Sequence, residues 1–217
     1  MPPIVTTLLL YLPLLLLAVS AHEAAHAWAA RWRGDDTAAR QGRLTLLPFV
    51  HVDLWGTLLL PAMLLYIQAP FLIGYAKPTP VDPSRLRRPK ADFSLVAVAG
   101  PAGNLALAVL LALLGALVFG GLGVESPEGR LIVAAGIFLN VMLAGLNLLP
   151  LPGFDGMKAL YVVLPDRWCW RLQQADPYFM VVLVLAAFTQ VLALVQVPIH
   201  SVAEALCTLA GTACPKL

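Results

Sequence analysis

The chain has 217 residues, 60% of them hydrophobic and only 12% charged, with a mean hydropathy of +0.83. A soluble domain carries about a quarter charged residues, so this composition excludes an ordinary soluble enzyme and points to an integral membrane protein. A net charge of +2 gives no basis for nucleic-acid binding, and three sparse cysteines give neither a disulfide framework nor a C-x-x-C metal site.

The first apolar stretch runs over about residues 4–30, beyond the roughly 20 residues that cross a bilayer as a helix. Its leucine-rich core and Ala18-Val19-Ser20-Ala21 resemble a signal peptide with a small-residue cleavage site. No basic residue precedes the core, and helix-favouring alanines continue through Ala30, so a retained helix is expected.

Within that stretch lies His22-Glu23-Ala24-Ala25-His26, the pattern H-E-x-x-H. On a helix, positions i and i+4 share a face, so two imidazoles can hold one zinc ion from the same side. The glutamate between them is placed to act as general base on water. The competing reading is a pair of interhelical hydrogen-bonding histidines with Glu23 paired to an arginine. An apolar setting makes that arrangement costly.

The connection 31–45 carries Arg31, Arg33, Arg40 and Arg43, with Trp28 and Trp32 beside it as interfacial anchors. Residues 43–53 place Thr45 and His51 among apolar side chains around Pro48, with no helical period. They are expected to be extended or hairpin-like, with an edge open to strand addition by an unwound substrate. The apolar stretch 54–75 contains Gly56, Pro61, Pro70 and Gly74, which interrupt a helix. The next connection, 76–92, holds Lys77, Arg85, Arg87, Arg88 and Lys90.

Further apolar stretches lie at 93–119, 131–149 and 178–197. The connection 120–130 has a single cation, Arg130, with Glu125 and Glu128, whereas 164–177 and its flank carry Lys158, Arg167 and Arg171 beside Trp168 and Trp170. The positive-inside rule places 31–45, 76–92 and 164–177 in the cytoplasm and 120–130 outside. Segment 54–75 must then enter the membrane and return, a geometry tolerated where the broken backbone is buried in protein. The C-terminal 198–217, with His200 and Glu204, is expected to be a short amphipathic or interfacial helix, and Cys169, Cys207 and Cys214 to be unpaired thiols.

A catalytic zinc ion takes three protein ligands and keeps one position open. Candidates for the third are Asp53, Asp155, Glu204, His51 and His200. Asp155 stands out in N-L-L-P-L-P-G-F-D-G, residues 147–156, where Pro150 and Pro152 end a helix and Gly153 and Gly156 permit tight turns. Its competing role is to cap the helix that starts near Met157. Topology favours the ligand role: if 54–75 re-enters, the helix over 131–149 returns Asp155 to the side where His22 and His26 lie.

These residues resemble the site-2 protease family of intramembrane zinc metalloproteases. That family pairs H-E-x-x-H on one transmembrane helix with an N-x-x-P-x-x-x-x-D-G-like segment on a later one, here Asn147, Pro150, Asp155 and Gly156. H-V-D-L-W-G-T at 51–57, G-Y-A-K-P-T-P-V-D-P at 74–83 and A-G-P-A-G-N at 99–104 are similar to the compact bacterial-type subgroup without PDZ or CBS domains. The resemblance covers roughly residues 15–165. Phe154 departs from it, standing where leucine commonly precedes the aspartate.

The resemblance implies that His22, His26 and Asp155 bind one zinc ion per chain and that Glu23 activates water. It gives Asn147 the role of holding the substrate backbone or the oxyanion, against a plain interhelical hydrogen bond. Gly100, Pro101, Gly103 and Asn104 are assigned to helix packing. Asn104, His51 and Asp53 remain candidates for lining the site, with structural hydrogen bonds the favoured role for the last two.

The expected fold is all-α and polytopic, with about four to five transmembrane helices and a re-entrant or extended segment near 43–75. One membrane-embedded metalloprotease domain is expected over 1–217, its metal-site core at about 15–165 and C-terminal helices at 178–217. The expected activity is zinc-dependent cleavage of a peptide bond in or near a transmembrane segment of a membrane-protein substrate. The expected location is the bacterial inner membrane, with the site toward the cytoplasm. The alternative is a zinc-binding membrane scaffold or transport-like protein without proteolysis.

Overall fold

The computed structural model describes residues 3–66, 75–178, 181 and 191–215. Among these it is all-helical, as the composition requires of backbone that must satisfy its own polar groups in lipid. Helix α1 spans Pro3–Arg33, α2 Thr37–Arg40, α3 Leu60–Tyr66, α4 Pro89–Gly115, α5 Pro127–Asn147, α6 Asp155–Ala159, α7 Asp166–Ala175 and α8 Val191–Leu209. Among the described residues, three stretches are long and apolar enough to cross a membrane: Leu10–Arg33, Pro89–Gly121 and Pro127–Asn147. The expected helix over 178–197 falls largely outside the described residues.

The helix ends carry local signals. Ser126 accepts from the Gly129 N–H at 3.0 Å and Pro127 opens α5, a side-chain cap followed by a residue with no N–H to satisfy. Pro89 opens α4, and Asp92 reaches back to the Arg88 N–H at 2.8 Å. α4 packs chiefly against α1 and α5, and α8 against α5. The core between α4, α5 and α8 is built from Ala108, Ala112, Ile137, Phe138, Ile199 and Ala203. Small residues there let helices approach closely where lipid supplies no hydrophobic drive for association.

The cationic connections gather at one end. Arg87 N–H donates to the Arg33 carbonyl at 3.1 Å, Arg33 pairs with buried Asp92, and Lys90 pairs with Asp166 at 2.9 Å. At the other end, Arg130 binds the Gly211 carbonyl and Thr212 Oγ1 donates to the Arg130 carbonyl at 3.2 Å. Trp28, Trp32, Trp168 and Trp170 are all exposed.

The described ends of the stretch 54–75 meet, and residues 67–74 lie outside the described residues. Tyr75 N–H donates to the Gly56 carbonyl at 3.1 Å, and Thr57 Oγ1 donates to the Tyr75 carbonyl at 2.9 Å. This closure agrees with the expected re-entry.

Two expectations need correction. The hairpin expected at 43–53 does not form. Pro48–Val50 is one turn of 3-10 helix, and the described residues contain no strand. Side chains satisfy the backbone there instead of a ladder: Arg43 binds the Val50 carbonyl, and the His51 ring donates to the Thr45 carbonyl at 2.9 Å. An open edge for strand addition is therefore absent from this segment. The C-terminal region is likewise no separate interfacial helix. α8 continues through Pro198 to Leu209, with Ala203, Cys207 and Ala210 buried against α5. Cys169, Cys207 and Cys214 are free thiols.

Candidate metal centre

His22 and His26 lie on α1, 11 and 7 residues before its last residue, Arg33. At 1.5 Å per residue this puts them about 16 and 10 Å inside the cationic end. Both are buried. α5 ends at Asn147, and the Pro150–Pro152 loop turns back through Gly153, whose φ of +85° suits glycine. Asp155 opens α6, and Gly156 lets the turn close, since a Cβ there would run into the Leu148 carbonyl.

Three atoms from these elements converge. His22 Nε2 lies 2.9 Å from Asp155 Oδ2, His26 Nε2 lies 3.2 Å from it, and the two Nε2 atoms are 3.1 Å apart. Ligand atoms around tetrahedral zinc at 2.0–2.1 Å stand about 3.3 Å apart, so the triangle is close to the size the ion requires. Asp155 Oδ1 faces Lys158 Nζ at 3.6 Å, which leaves Oδ2 for the site.

The protonation of the rings follows from their neighbours. His26 Nδ1 lies 2.8 Å from the Val96 carbonyl, which can only accept, so Nδ1 carries the proton. His22 Nδ1 lies 2.6 Å from Asn104 Oδ1. The Asn104 amide is oriented by the Ala18 carbonyl, to which Nδ2 donates at 2.9 Å, and by Asn140 Oδ1 at 2.8 Å. Asn140 is itself fixed by donating to the Gly136 carbonyl at 2.9 Å. Asn104 Oδ1 therefore accepts, and His22 Nδ1 is protonated. Both Nε2 atoms turn lone pairs toward Asp155.

Three electron-rich atoms at this distance repel unless positive charge sits among them. A divalent cation held by these three atoms would supply that charge. The donor set of two imidazoles and one carboxylate suits zinc. Among the described residues, His22, His26 and Asp155 form the group that could hold a metal.

α4 supplies the floor. A Cβ at Gly100 would stand 2.5 Å from His26 Cε1 and 2.7 Å from His22 Cε1, so only glycine fits beneath the two rings. One turn on, a Cβ at Gly103 would stand 2.7 Å from Ala25 Cβ, so this glycine lets α4 meet α1. The A-G-P-A-G-N stretch thus combines packing with orientation of a ligand through Asn104.

The remaining candidates sit as follows. Glu23 is buried, and its Oε2 accepts the Thr79 N–H at 2.8 Å. Asn147 Nδ2 donates to the Leu143 carbonyl of its own helix at 2.9 Å. Asp53 caps the turn 54–59 by accepting from the Trp55 and Gly56 N–H groups at 3.0 and 2.7 Å. His51 is occupied at Nε2 by Thr45, and its buried Nδ1 has no partner among the described residues. Sequence reasoning missed Asn140, Thr79 and the Val96 carbonyl. A buried asparagine in an apolar helix was the one available signal for Asn140.

Over 176 residues, 79% of this chain and 77% of the relative, the sequence is 39% identical to "Putative zinc metalloprotease YwhC" of Bacillus subtilis. It is 35% identical over 175 residues to "Putative zinc metalloprotease Rip2" of Mycobacterium tuberculosis, spanning 64% of that longer protein. A shorter match of 68 residues, 30% of this chain and 31% of the relative, is 43% identical to "Putative zinc metalloprotease MJ0611" of Methanocaldococcus jannaschii. No family model and no solved structure matches the chain.

Proposed function

The chain belongs to the metalloprotease family of YwhC, and on that premise we propose that it is an intramembrane zinc endopeptidase of the site-2 protease type. One observation carries the reading. Two imidazole lone pairs from a helix long enough to span a membrane converge with a carboxylate from α6, with a buried glutamate next in sequence to one of the imidazoles.

His22, His26 and Asp155 hold one zinc ion per chain. Zinc bound there supplies Lewis acidity and makes water a nucleophile near neutral pH. Glu23 takes the proton from the attacking water and passes it to the leaving amine. Asn147 turns an amide N–H to the substrate carbonyl, where a fixed donor stabilises developing negative charge in a water-poor site. Asn104, Asn140 and the Val96 carbonyl keep both rings in the tautomer that binds metal.

The substrate is a membrane protein whose transmembrane segment unwinds locally, because helical amides are already hydrogen-bonded and shielded. The site lies below the cationic end, which the positive-inside rule assigns to the cytoplasm, in the inner membrane of a bacterial cell. Water reaches it from that side.

The test is zinc stoichiometry and proteolysis in parallel on wild type, Asp155→Ala and Glu23→Gln. One zinc per wild-type chain is expected, with a sharp loss in Asp155→Ala. Glu23→Gln should keep zinc and lose cleavage. A Glu23→Gln protein that still cleaves would overturn the role of Glu23. Full zinc in Asp155→Ala would overturn the ligand set.

A further inference from the structure

The stretch Tyr75–Asp82, Y-A-K-P-T-P-V-D, forms neither helix nor strand, and the metal triad does not account for it. It is laced across the molecule. Tyr75 N–H reaches the Gly56 carbonyl, Lys77 N–H the His51 carbonyl at 2.9 Å, and Asp82 N–H buried Asp35 Oδ2 at 2.7 Å. Pro78 and Pro80 have no N–H, and each biases the residue before it toward an extended backbone. Thr79 therefore owns the only backbone donor between Lys77 and Val81.

That donor goes to Glu23. Thr79 N–H lies 2.8 Å from Glu23 Oε2, and Thr79 Oγ1 donates to the Glu23 carbonyl at 3.0 Å. One residue thus grips Glu23 at its carboxylate and at its backbone. The grip matters because Glu23 lies about 100° around the helix from His22, off the face the two histidines share. The H-E-x-x-H spacing alone leaves a side chain with three rotatable bonds unaimed. With Oε2 held, Oε1 has no hydrogen-bond partner among the described residues and is the oxygen left to take a proton. General-base catalysis depends on such fixed geometry.

We propose that Thr79 is the positioning residue of Glu23, its backbone amide fixing the carboxylate so that one oxygen remains aimed for proton transfer. This rests on the reading of Glu23 as the base. The flanking prolines give it a sequence logic: they hold the strap extended and leave a single amide to do the positioning. Thr79→Pro deletes that amide in a stretch its prolines already bias toward an extended backbone, whereas Thr79→Val deletes only the hydroxyl.

The experiment uses the full chain in proteoliposomes. Its probe is a dye–quencher peptide with one apolar helix of about 20 residues interrupted by Gly-Pro. Thr79→Pro is expected to keep its zinc and its KM while kcat falls about tenfold or more, up to the roughly 10²–10⁴ that a general base contributes. Thr79→Val should lose less, and Thr79→Ser should restore the rate. A structural role alone would instead move zinc content or KM.

Hydrogen exchange gives a second readout independent of activity. Residues 78–80 contain one exchangeable backbone amide, that of Thr79, and Glu23→Ala should speed its exchange about tenfold or more. This measurement decides the matter if Thr79→Pro fails to fold. Wild-type or faster kcat in zinc-loaded Thr79→Pro, or Thr79 exchange indifferent to Glu23→Ala, overturns the proposal. Inactive Glu23→Gln beside fully active Thr79→Pro confines the failure to Thr79. Active Glu23→Gln, or zinc-loaded wild type that leaves the probe uncut, overturns the parent reading instead.

Discussion

Adding one methyl group at Gly100 should empty the metal centre without unfolding the protein. The new Cβ would stand 2.5 Å from His26 Cε1 and 2.7 Å from His22 Cε1, where non-bonded carbons rest at about 3.5–4.0 Å. Each ring must therefore yield by about 1 Å. Neither is free to do so, because His26 is tied to the Val96 carbonyl at 2.8 Å and His22 to Asn104 at 2.6 Å. Metal–ligand distances tolerate only about ±0.2 Å, so a shift of this size takes both nitrogens out of reach of one ion. Helix propensity acts in the opposite direction, since alanine in place of a helix-interior glycine gains about 1 kcal/mol. Gly100→Ala should therefore bind zinc about a hundredfold or more weakly in chelator competition, with its thermal midpoint in the metal-free form held or raised. Gly120→Ala is the control, because a Cβ there meets nothing within 4 Å. Zinc affinity equal to wild type in Gly100→Ala would refute the packing of α4 beneath the rings.

Two further outcomes follow from the buried polar groups. Asn104→Leu should weaken zinc binding about 10–100-fold, as loss of a hydrogen bond to a metal-ligating histidine does, and Asn140→Leu should do the same to a smaller degree. Chelator competition checks both, and unchanged affinity in Asn104→Leu would remove the tautomer argument. Tyr161 is buried, its hydroxyl has no partner among the described residues, and its ring stacks on Phe93 at 6.1 Å between centroids. Tyr161→Phe keeps the stack and removes an unsatisfied group, so it should leave stability unchanged or raise it by about 1 kcal/mol. A clear fall in the thermal midpoint would mean that the hydroxyl has a partner.

The sequence by itself determined the helical membrane class, because a composition with 12% charged residues cannot cover a soluble surface. It determined the pairing of His22 with His26, since a spacing of four on a helix is already a geometry. The charge of the flanking connections led to the expectation that 54–75 returns, and the meeting of Gly56 with Tyr75 agrees with it. The loop 43–53 was misread because the backbone there is satisfied by the side chains of Arg43 and His51, a solution with no periodic signature. Only the tertiary structure decided that Asp155, 133 residues from His22, stands 2.9 Å from its ring. It alone showed that Asn140 reaches His22 through Asn104, that Gly100 is the floor under two imidazoles, and that Thr79 holds Glu23. The physical reason is common to all four. Short-range spacing reports which groups share a helix face, whereas contacts between distant segments depend on distance and direction, which exist only once those segments have packed.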